Sequence, residues 1–541
     1  MGQTDAWNLS LRGSVMRMDA IVIGSGQNGL VAANMLADAG WSVLVLEGAD
    51  EPGGAVRTGE LTLPGYRHDL FSSFYPLTAA SPVYHRMELE RHGLRWCRGP
   101  LAIAHPAADG TCPFVSQGNL EETISSLGTG ADDAREWREL TGLWERLGDV
   151  VMEVLTAGFP PVVPAAKLLA GLRTDVLEFA RFGTLPVRRF SDERFRSSLP
   201  GRLLTGNAMH ADFHPESAGS ALFGWVLVGL AGDVGFPFPE GGARAIVDAL
   251  IARLEERGGQ VRCASPVERV LVSRNRAHGV RLVGGEEIGA GRAVLADVGA
   301  PRLFLDMLEG ASLPSRFVRE LRRFHYDSAT VKVDWALSAP IPWSAPDARR
   351  APTIHVAESV DELTVSMGQI ARGLIPELPF LVMGQYSMGD PTRQPEGAET
   401  AWAYTHLPQD VRGDAGGELT GTWDDREEEL IADRIERRIE ALAPGFRDLI
   451  AGRHVFTPRS MEDANPNLVN GAVNGGTAQM HQQLIFRPVP SVRRCATPVR
   501  GLYLASASAH PGGGVHGACG ANAARAALSL RERGRRVLPT F

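Results

Sequence analysis

Residues 20–23 (Ala-Ile-Val-Ile) and 43–46 (Val-Leu-Val-Leu) are unbroken apolar runs, the pattern of strands covered on both faces of a parallel sheet. Between them Leu30, Ala33, Leu36 and Ala37 recur at helical spacing and the pattern stops at Gly40, so the chain opens strand, helix, strand. A second helical pattern, Ile246, Leu250 and Leu254, is opened by Gly241-Gly242 and closed by Gly258-Gly259. It leads into a strand at 260–263, another over Val267–Val272, and a hairpin whose last strand ends AVLAD at Asp297. Near the other end, GLYLA at 501–505 predicts one more strand, then a glycine-rich loop and an alanine-rich helix. Residues 220–232, SALFGWVLVGLAG, predict a core helix, and 424–442 an amphipathic one with Leu430, Ile431, Ile435 and Leu442 on one side. ATVKVDWAL at 329–337 alternates like a strand, and GFPPVVP at 158–164 reads as a connector.

The turn from first strand to first helix reads Gly24-x-Gly26-x-x-Gly29. Gly24 suits a tight turn, Gly26 close backbone approach to a pyrophosphate, and Gly29 the packing of helix on strand. Glu47 closes the next strand 18 residues beyond Gly29, where a carboxylate accepts both hydroxyls of an adenosine ribose. A bound dinucleotide is implied. Gly53-Gly54 follows just after this acid, and Pro511-Gly512-Gly513-Gly514 precedes the last helix, whose free N–H groups and positive end face whatever lies there.

At 541 residues the chain exceeds one core's usual size, and with no internal repeat or low-complexity linker its domains are expected to interleave. A net charge of -8 and a pI near 6.0 give no electrostatic reason for a nucleic-acid partner. Five widely spaced cysteines without a C-x-x-C predict neither disulfides nor zinc, and a reducing cytoplasm is the expected compartment. Residues 1–17 lack an apolar signal-peptide core and read as a disordered extension. No run approaches the ~20 apolar residues of a membrane span, while peripheral contact with a membrane stays open.

These motifs, with EPGGAVRTGELTLPGYRHDLFSSFYPL from residue 51, LYLASASAHPGGGVHG from residue 502 and NPNLVNGAVNGGTAQMHQQLIFRPVPSVRR over 465–494, resemble the FAD-dependent phytoene desaturase and amine oxidase superfamily. Within it the chain is most similar to the branch of pyridine nucleotide-disulphide oxidoreductase domain-containing protein 2. The resemblance implies an α/β fold, with a Rossmann-like FAD-binding domain of the two-dinucleotide-binding type (18–75, 238–302 and 491–541) interleaved with an α+β substrate domain (76–237 and 303–490). It implies FAD as cofactor, Gly53 and Gly54 over the phosphates, Val267 pairing its backbone with adenine, and Gly513, Gly514 and Val515 beside the flavin. The chain departs from the pattern where Ala55 replaces an expected arginine, with Arg57 as substitute cation, and where Ser506 and Ser508 replace glycines. No second dinucleotide fingerprint appears, so electrons are expected to leave to oxygen, a quinone or another acceptor.

A flavin that takes a hydride from an organic substrate needs a positioned C–H and a proton acceptor. Lys332 is one candidate, since a strand lysine contacts the flavin through water in amine oxidase relatives; a solvated or salt-bridged lysine, with Asp334 as partner, is the other reading. His510 and His516 flank the glycine loop, and His68 and Asp69 follow the first FAD segment. By resemblance all four approach the flavin, yet loop capping by the histidines is an equal alternative. HADFH, with His210, Asp212 and His214 alternating on a supposed strand, suggests an acid–base or metal cluster, but no third ligand signal supports a metal. The leading expectation is desaturation of an apolar or secondary-metabolite substrate. Amine oxidation, flavin-dependent isomerisation and a flavin-free isoprenoid carrier of the GDP-dissociation-inhibitor type compete with it.

Overall fold

The computed structural model describes residues 17–533, apart from 129, 491–494 and 496. Of the expected N-terminal extension only Arg17 is described, where the first strand begins, and the first residues of the expected last FAD segment also lie outside the described part.

The apolar runs at 20–23 and 43–46 are adjacent strands. Arg17–Ile23 pairs in parallel with Val43–Leu46 on one side and Glu287–Ala296 on the other, with Ile21 opposite both Leu44 and Val294. Gln260–Arg262 extends the sheet in parallel beyond Val43–Leu46. Glu287–Ala296 is long enough to change partners along its length. Its first half pairs antiparallel with Arg276–Leu282 and its second half in parallel with Leu502–Leu504, so the strand near the C-terminus lies one strand away from the first. Val267–Ser273 and Leu308–Glu309 complete the eight strands. Helix Gln27–Asp38 covers this sheet, with Ala32, Ala33, Leu36 and Ala37 in its core. Burial on both faces explains why the strands are continuous apolar runs rather than alternating ones.

A second, seven-stranded sheet runs in the order Ile450–Phe456, Ala329–Leu337, Glu399–Leu407, Leu381–Gln385, Thr353–Val356, Ile103–Ala104, Phe114–Val115. All nine residues of Ala329–Leu337 are buried. Val331, Val333 and Trp335 enter a core with helix Asp425–Leu442, where the Trp335 indole N–H donates to Glu436 Oε1 at 3.0 Å and its ring meets Phe446 edge-on at 5.4 Å. The other face carries Thr330, Lys332 and Asp334, so the alternation read from the sequence marks two buried faces rather than a solvent face.

Helices Ala131–Thr156, Ser198–Ala208 and Ser220–Asp233 pack together, with Trp144 and Trp225 edge to face at 5.3 Å. Ser220–Asp233 is the core helix expected from SALFGWVLVGLAG, and no helix among the described residues is long and apolar enough to cross a membrane. The connector expected at 158–164 already becomes helix at Val162.

A buried ion-pair network joins the short strand His68–Asp69 to the turn between Leu381–Gln385 and Glu399–Leu407 of the second sheet. Arg393 is fully enclosed and spends its donors on Asp69 Oδ2 (2.8 Å), Asp390 Oδ2 (3.1 Å) and the Pro239 carbonyl (3.0 Å), while its plane lies 3.9 Å from the Tyr386 ring centre. Asp69 also accepts from Tyr386 Oη, Thr58 Oγ1 and the Ala243 N–H. Every polar group here has a partner, as charges out of water require. Arg393→Met strands Asp69 and Asp390 without their cation, and is expected to cost about 3–5 kcal/mol, read as a lowered denaturant midpoint.

Candidate functional site

Four parallel strands end side by side at Ile23, Leu46, Ala296 and Leu504, and the crevice beyond such carboxyl ends is where α/β sheets bind ligands. A cavity of about 700 Å³ starts there and continues to the face of the second sheet that carries Lys332.

Backbone crowding shapes the nucleotide end. Gly24 has φ +90° and donates its N–H to Leu46 O at 2.8 Å. A Cβ on Gly26 would lie 2.5 Å from Asp297 Oδ2, and one on Gly29 would overlap the Gly24 carbonyl. Helix Gln27–Asp38 starts without a side-chain cap, so its first N–H groups are left for a ligand, except that of Gly29, which donates to Asp297 Oδ2 at 2.9 Å. Burial pushes the Asp297 carboxyl up to about 7, against the pull of the Gly29 N–H and with nearby Glu47 adding to the rise. An uncharged carboxyl under a phosphate loop avoids repelling the phosphates.

Glu47 Oε2 accepts from both the N–H (2.8 Å) and the hydroxyl (2.6 Å) of Ser25, and Oε1 from the Ala49 N–H (2.9 Å). The Ser25 hydroxyl accepts in turn from the Gly53 N–H at 3.2 Å, which sets the second glycine pair against the first; a Cβ on Gly54 would lie 3.1 Å from Gly26 Cα. Arg57 donates to the Ala464 carbonyl at 3.0 Å, sits 5.4 Å from the Phe71 ring centre, and is held below the usual arginine range by burial despite Glu47 and Glu51.

Of the residues singled out from the sequence, Gly24, Gly26, Glu47, Gly54, Arg57, Val267, Gly513, Gly514, Val515 and Lys332 border this one cavity, as do Ser506 and Ser508. Gly29 and Gly53 stand behind it as packing and turn residues. Asp69 and His68 do not border it. Asp69 is consumed by the Arg393 network, and His68 Nδ1 lies 3.4 Å from Asp334 while its Nε2 meets the Thr62 hydroxyl at 2.8 Å. The flanking histidines are also off the cavity. His516 Nδ1 accepts the Ala518 N–H at the start of the last helix (3.1 Å), and His510 is buried edge-on to Phe159. Burial holds both imidazoles down at about 4. The capping reading fits His516, whereas His510 is held by packing against Phe159. Lys332 is neither solvated nor free: it is ion-paired with Asp334 and lies 5.8 Å from the Trp402 ring centre. Burial holds its ammonium below the usual lysine range, opposed by Asp334.

HADFH is not a strand; it follows helix Ser198–Ala208 as irregular chain. Its three polar residues separate. His210 borders the cavity and its Nε2 lies 2.5 Å from His355 Nε2, Asp212 accepts from the Thr477 hydroxyl (2.5 Å) and the Ala478 N–H (2.7 Å), and His214 is half-buried. Among the described residues no group of histidine, cysteine and carboxylate ligands is placed to hold a metal. Sequence reasoning passed over Asp297, Asn474 and the pairing of His210 with His355. Only Asp297 had a visible signal, an acid ending a strand at the same sheet edge.

The cavity suits a flavin dinucleotide. Its phosphate end is rich in glycine, and Arg57 Nε, Thr330 Oγ1 and Asn474 Nδ2 are buried in cavity-lining residues with no hydrogen-bond partner among the described residues. Residues 29–528 match the family model for flavin containing amine oxidoreductase. The chain belongs to that family. It is 30% identical to the rat pyridine nucleotide-disulfide oxidoreductase domain-containing protein 2 over 94% of this chain and 92% of that one. It is 24% identical to a neurosporene-forming phytoene desaturase of Rhodobacter capsulatus over 92% of this chain and 91% of the other. Wild-type putrescine oxidase bound to putrescine shares the fold, with a TM-score of 0.59 at 17% identity, covering 96% of this chain and 100% of that one. The flavoprotein is an FAD-dependent oxidoreductase with the fold of the flavin amine oxidases.

Asp297 gives FAD binding a pH dependence. Anionic phosphates favour the protonated carboxyl, so FAD affinity is expected to be highest below about pH 7 and to fall as pH rises through it, by at most about tenfold per pH unit for one linked proton. In Asp297→Asn the fall disappears, as checked by FAD fluorescence titration of the apoprotein across that range.

Proposed function

We propose that the protein is a dehydrogenase that removes two hydrogens from neighbouring carbons of an apolar organic substrate. The make-up of the cavity beyond the glycine loops carries this reading: Phe74, Phe223, Phe236, Val382, Trp402 and Tyr404 surround it. The carboxylates that border the cavity, Glu47, Glu51, Asp297 and Asp463, stand beside the phosphate loop or Arg57 instead. Among the described residues no carboxylate borders the aromatic end, where Lys332 is the charge that meets the cavity and Asp334 balances it from behind, which leaves an ammonium substrate without a counter-ion. This favours desaturation over amine oxidation.

FAD, when bound, supplies a two-electron acceptor for a hydride. Gly24, Gly26 and the open helix start would cradle its pyrophosphate, with Gly54 and Arg57 closing over it; Glu47 would take the ribose, Val267 the adenine, and Gly513, Gly514 and Val515 would border the ring. Lys332 borders the aromatic end with its charge balanced by Asp334, so its ammonium is held in place there as a hydrogen-bond donor.

His210 is the residue placed to accept the proton. Its Nε2 is engaged by His355, no described group takes Nδ1, and the ring stands 5.8 Å from Phe236. Burial first and His406 second push its imidazole down to about 3, so it is neutral, and in the tautomer that donates Nε2–H to His355 its Nδ1 lone pair is free. So weak a base suffices, because departure of a hydride makes the neighbouring C–H strongly acidic.

Anaerobic titration of the yellow holoenzyme tests the reading. Loss of visible flavin absorbance is expected with an apolar alkene such as phytoene or limonene and not with putrescine; bleaching by the amine alone reverses the assignment. With the alkene that bleaches, His210→Ala is expected to slow flavin reduction about 10²- to 10⁴-fold at unchanged FAD content, by stopped-flow absorbance. An unchanged rate removes His210 from this role.

A further inference from the structure

The chain between Val473 and Thr477 is pinned by two buried side chains, Asp327 and Arg487. Asp327 Oδ2 accepts the N–H groups of Val473 (2.9 Å) and Asn474 (2.8 Å), and Oδ1 that of Gly476 (3.0 Å). From the other side Arg487 Nη2 donates to the carbonyls of Asn474 (3.0 Å), Gly476 (3.2 Å) and Ala507 (2.8 Å). The backbone of Asn474 is thus satisfied on both sides and held in place, and only its side chain is left over.

That side chain borders the cavity, and neither end of its carboxamide has a hydrogen-bond partner among the described residues; Nδ2 is also shut off from solvent. It packs against the glycine-rich loop, since a Cβ on Gly513 would fall 2.6 Å from Asn474 Oδ1 and 2.7 Å from its Cβ. A buried amide without a partner costs stability unless a ligand supplies one. The clamp allows it little freedom to turn away.

We infer that Asn474 is a cofactor contact whose carboxamide hydrogen-bonds the polar edge of the flavin ring and raises its reduction potential. A carboxamide offers both a donor and an acceptor, and the flavin edge carries carbonyl oxygens, ring nitrogens and an N–H. A donor aimed where negative charge gathers on reduction binds the reduced flavin more strongly than the oxidised one. The inference rests on FAD as the cofactor and not on the identity of the substrate.

The test compares wild-type, Asn474→Ala and Asn474→Asp holoenzymes by dye-coupled redox titration, visible spectrum and FAD affinity. None of these readouts needs a substrate. Asn474→Ala leaves the Asp327 and Arg487 anchors intact and is expected to keep its melting temperature. Its preference for reduced over oxidised flavin should fall about tenfold, a drop of about 30 mV for a two-electron couple, with a shifted oxidised spectrum. Asn474→Asp, of the same shape, is expected to fall further, because its carboxylate repels the reduced flavin. A folded variant that no longer holds FAD also supports the contact. Wild-type potential, spectrum and affinity in Asn474→Ala overturn it. If the alanine variant does not fold, the aspartate variant decides, and a potential at or above wild type overturns the inference. A colourless wild-type protein that cannot take up FAD refutes the cofactor assignment itself, an outcome distinct from both.

Discussion

Gly29 has no room for a side chain, because a Cβ there would overlap the Gly24 carbonyl, and its N–H already belongs to Asp297. This close approach seats the first helix on the first strand and aims the helix start along the carboxyl ends of the parallel strands. The last helix repeats the device. A Cβ on Gly520 would overlap the Asn28 carbonyl, and the Gly520 N–H reaches Asn28 Oδ1 at 3.4 Å across a sequence separation of 492 residues. The first and last helices therefore close on each other, and the crevice beside them is bordered by glycines, Gly24 and Gly26 on one side and Gly513 and Gly514 on the other. Such a surface approaches phosphates closely with N–H groups and leaves specificity to a few acids and cations around it.

The rest of the molecule uses polarity sparingly and in pairs. Asp69 with Arg393, Lys332 with Asp334, and Asp327 with the loop held by Arg487 are all removed from water, where an unpaired charge is expensive. The first pair joins the short strand His68–Asp69 to the chain beside the second sheet, the second faces the aromatic end of the cavity, and the third fixes the loop that packs Asn474 against Gly513. The unpartnered polar atoms are informative for the same reason. Among the described residues Arg57, Thr330 and Asn474 each leave one in a residue that borders the cavity, where a bound ligand would meet it.

Residues whose role follows from local geometry were legible in the sequence. The apolar runs at 20–23 and 43–46, the three glycines between them and Glu47 encode strand, turn, helix and strand within a few tens of residues, whichever distant elements pack around them. Residues whose role depends on distant chain were not. Asp69 and His510 sit beside motif residues in sequence, but their side chains turn into packing, toward Arg393 and Phe159. His210 was taken for one of three groups on a strand, whereas the chain there is irregular and its partner, His355, lies 145 residues away.

By itself the sequence determined the nucleotide-binding half and its cofactor class, because a phosphate loop is a matter of backbone conformation, and glycine spacing and strand periodicity specify backbone conformation locally. Only the tertiary structure decided which polar side chains face the cavity. That choice depends on which charges find a buried partner first: Asp69 is spent on Arg393, while His210 and Asn474 are left with an unpaired group, and pairing across hundreds of residues leaves no trace in the spacing of the chain.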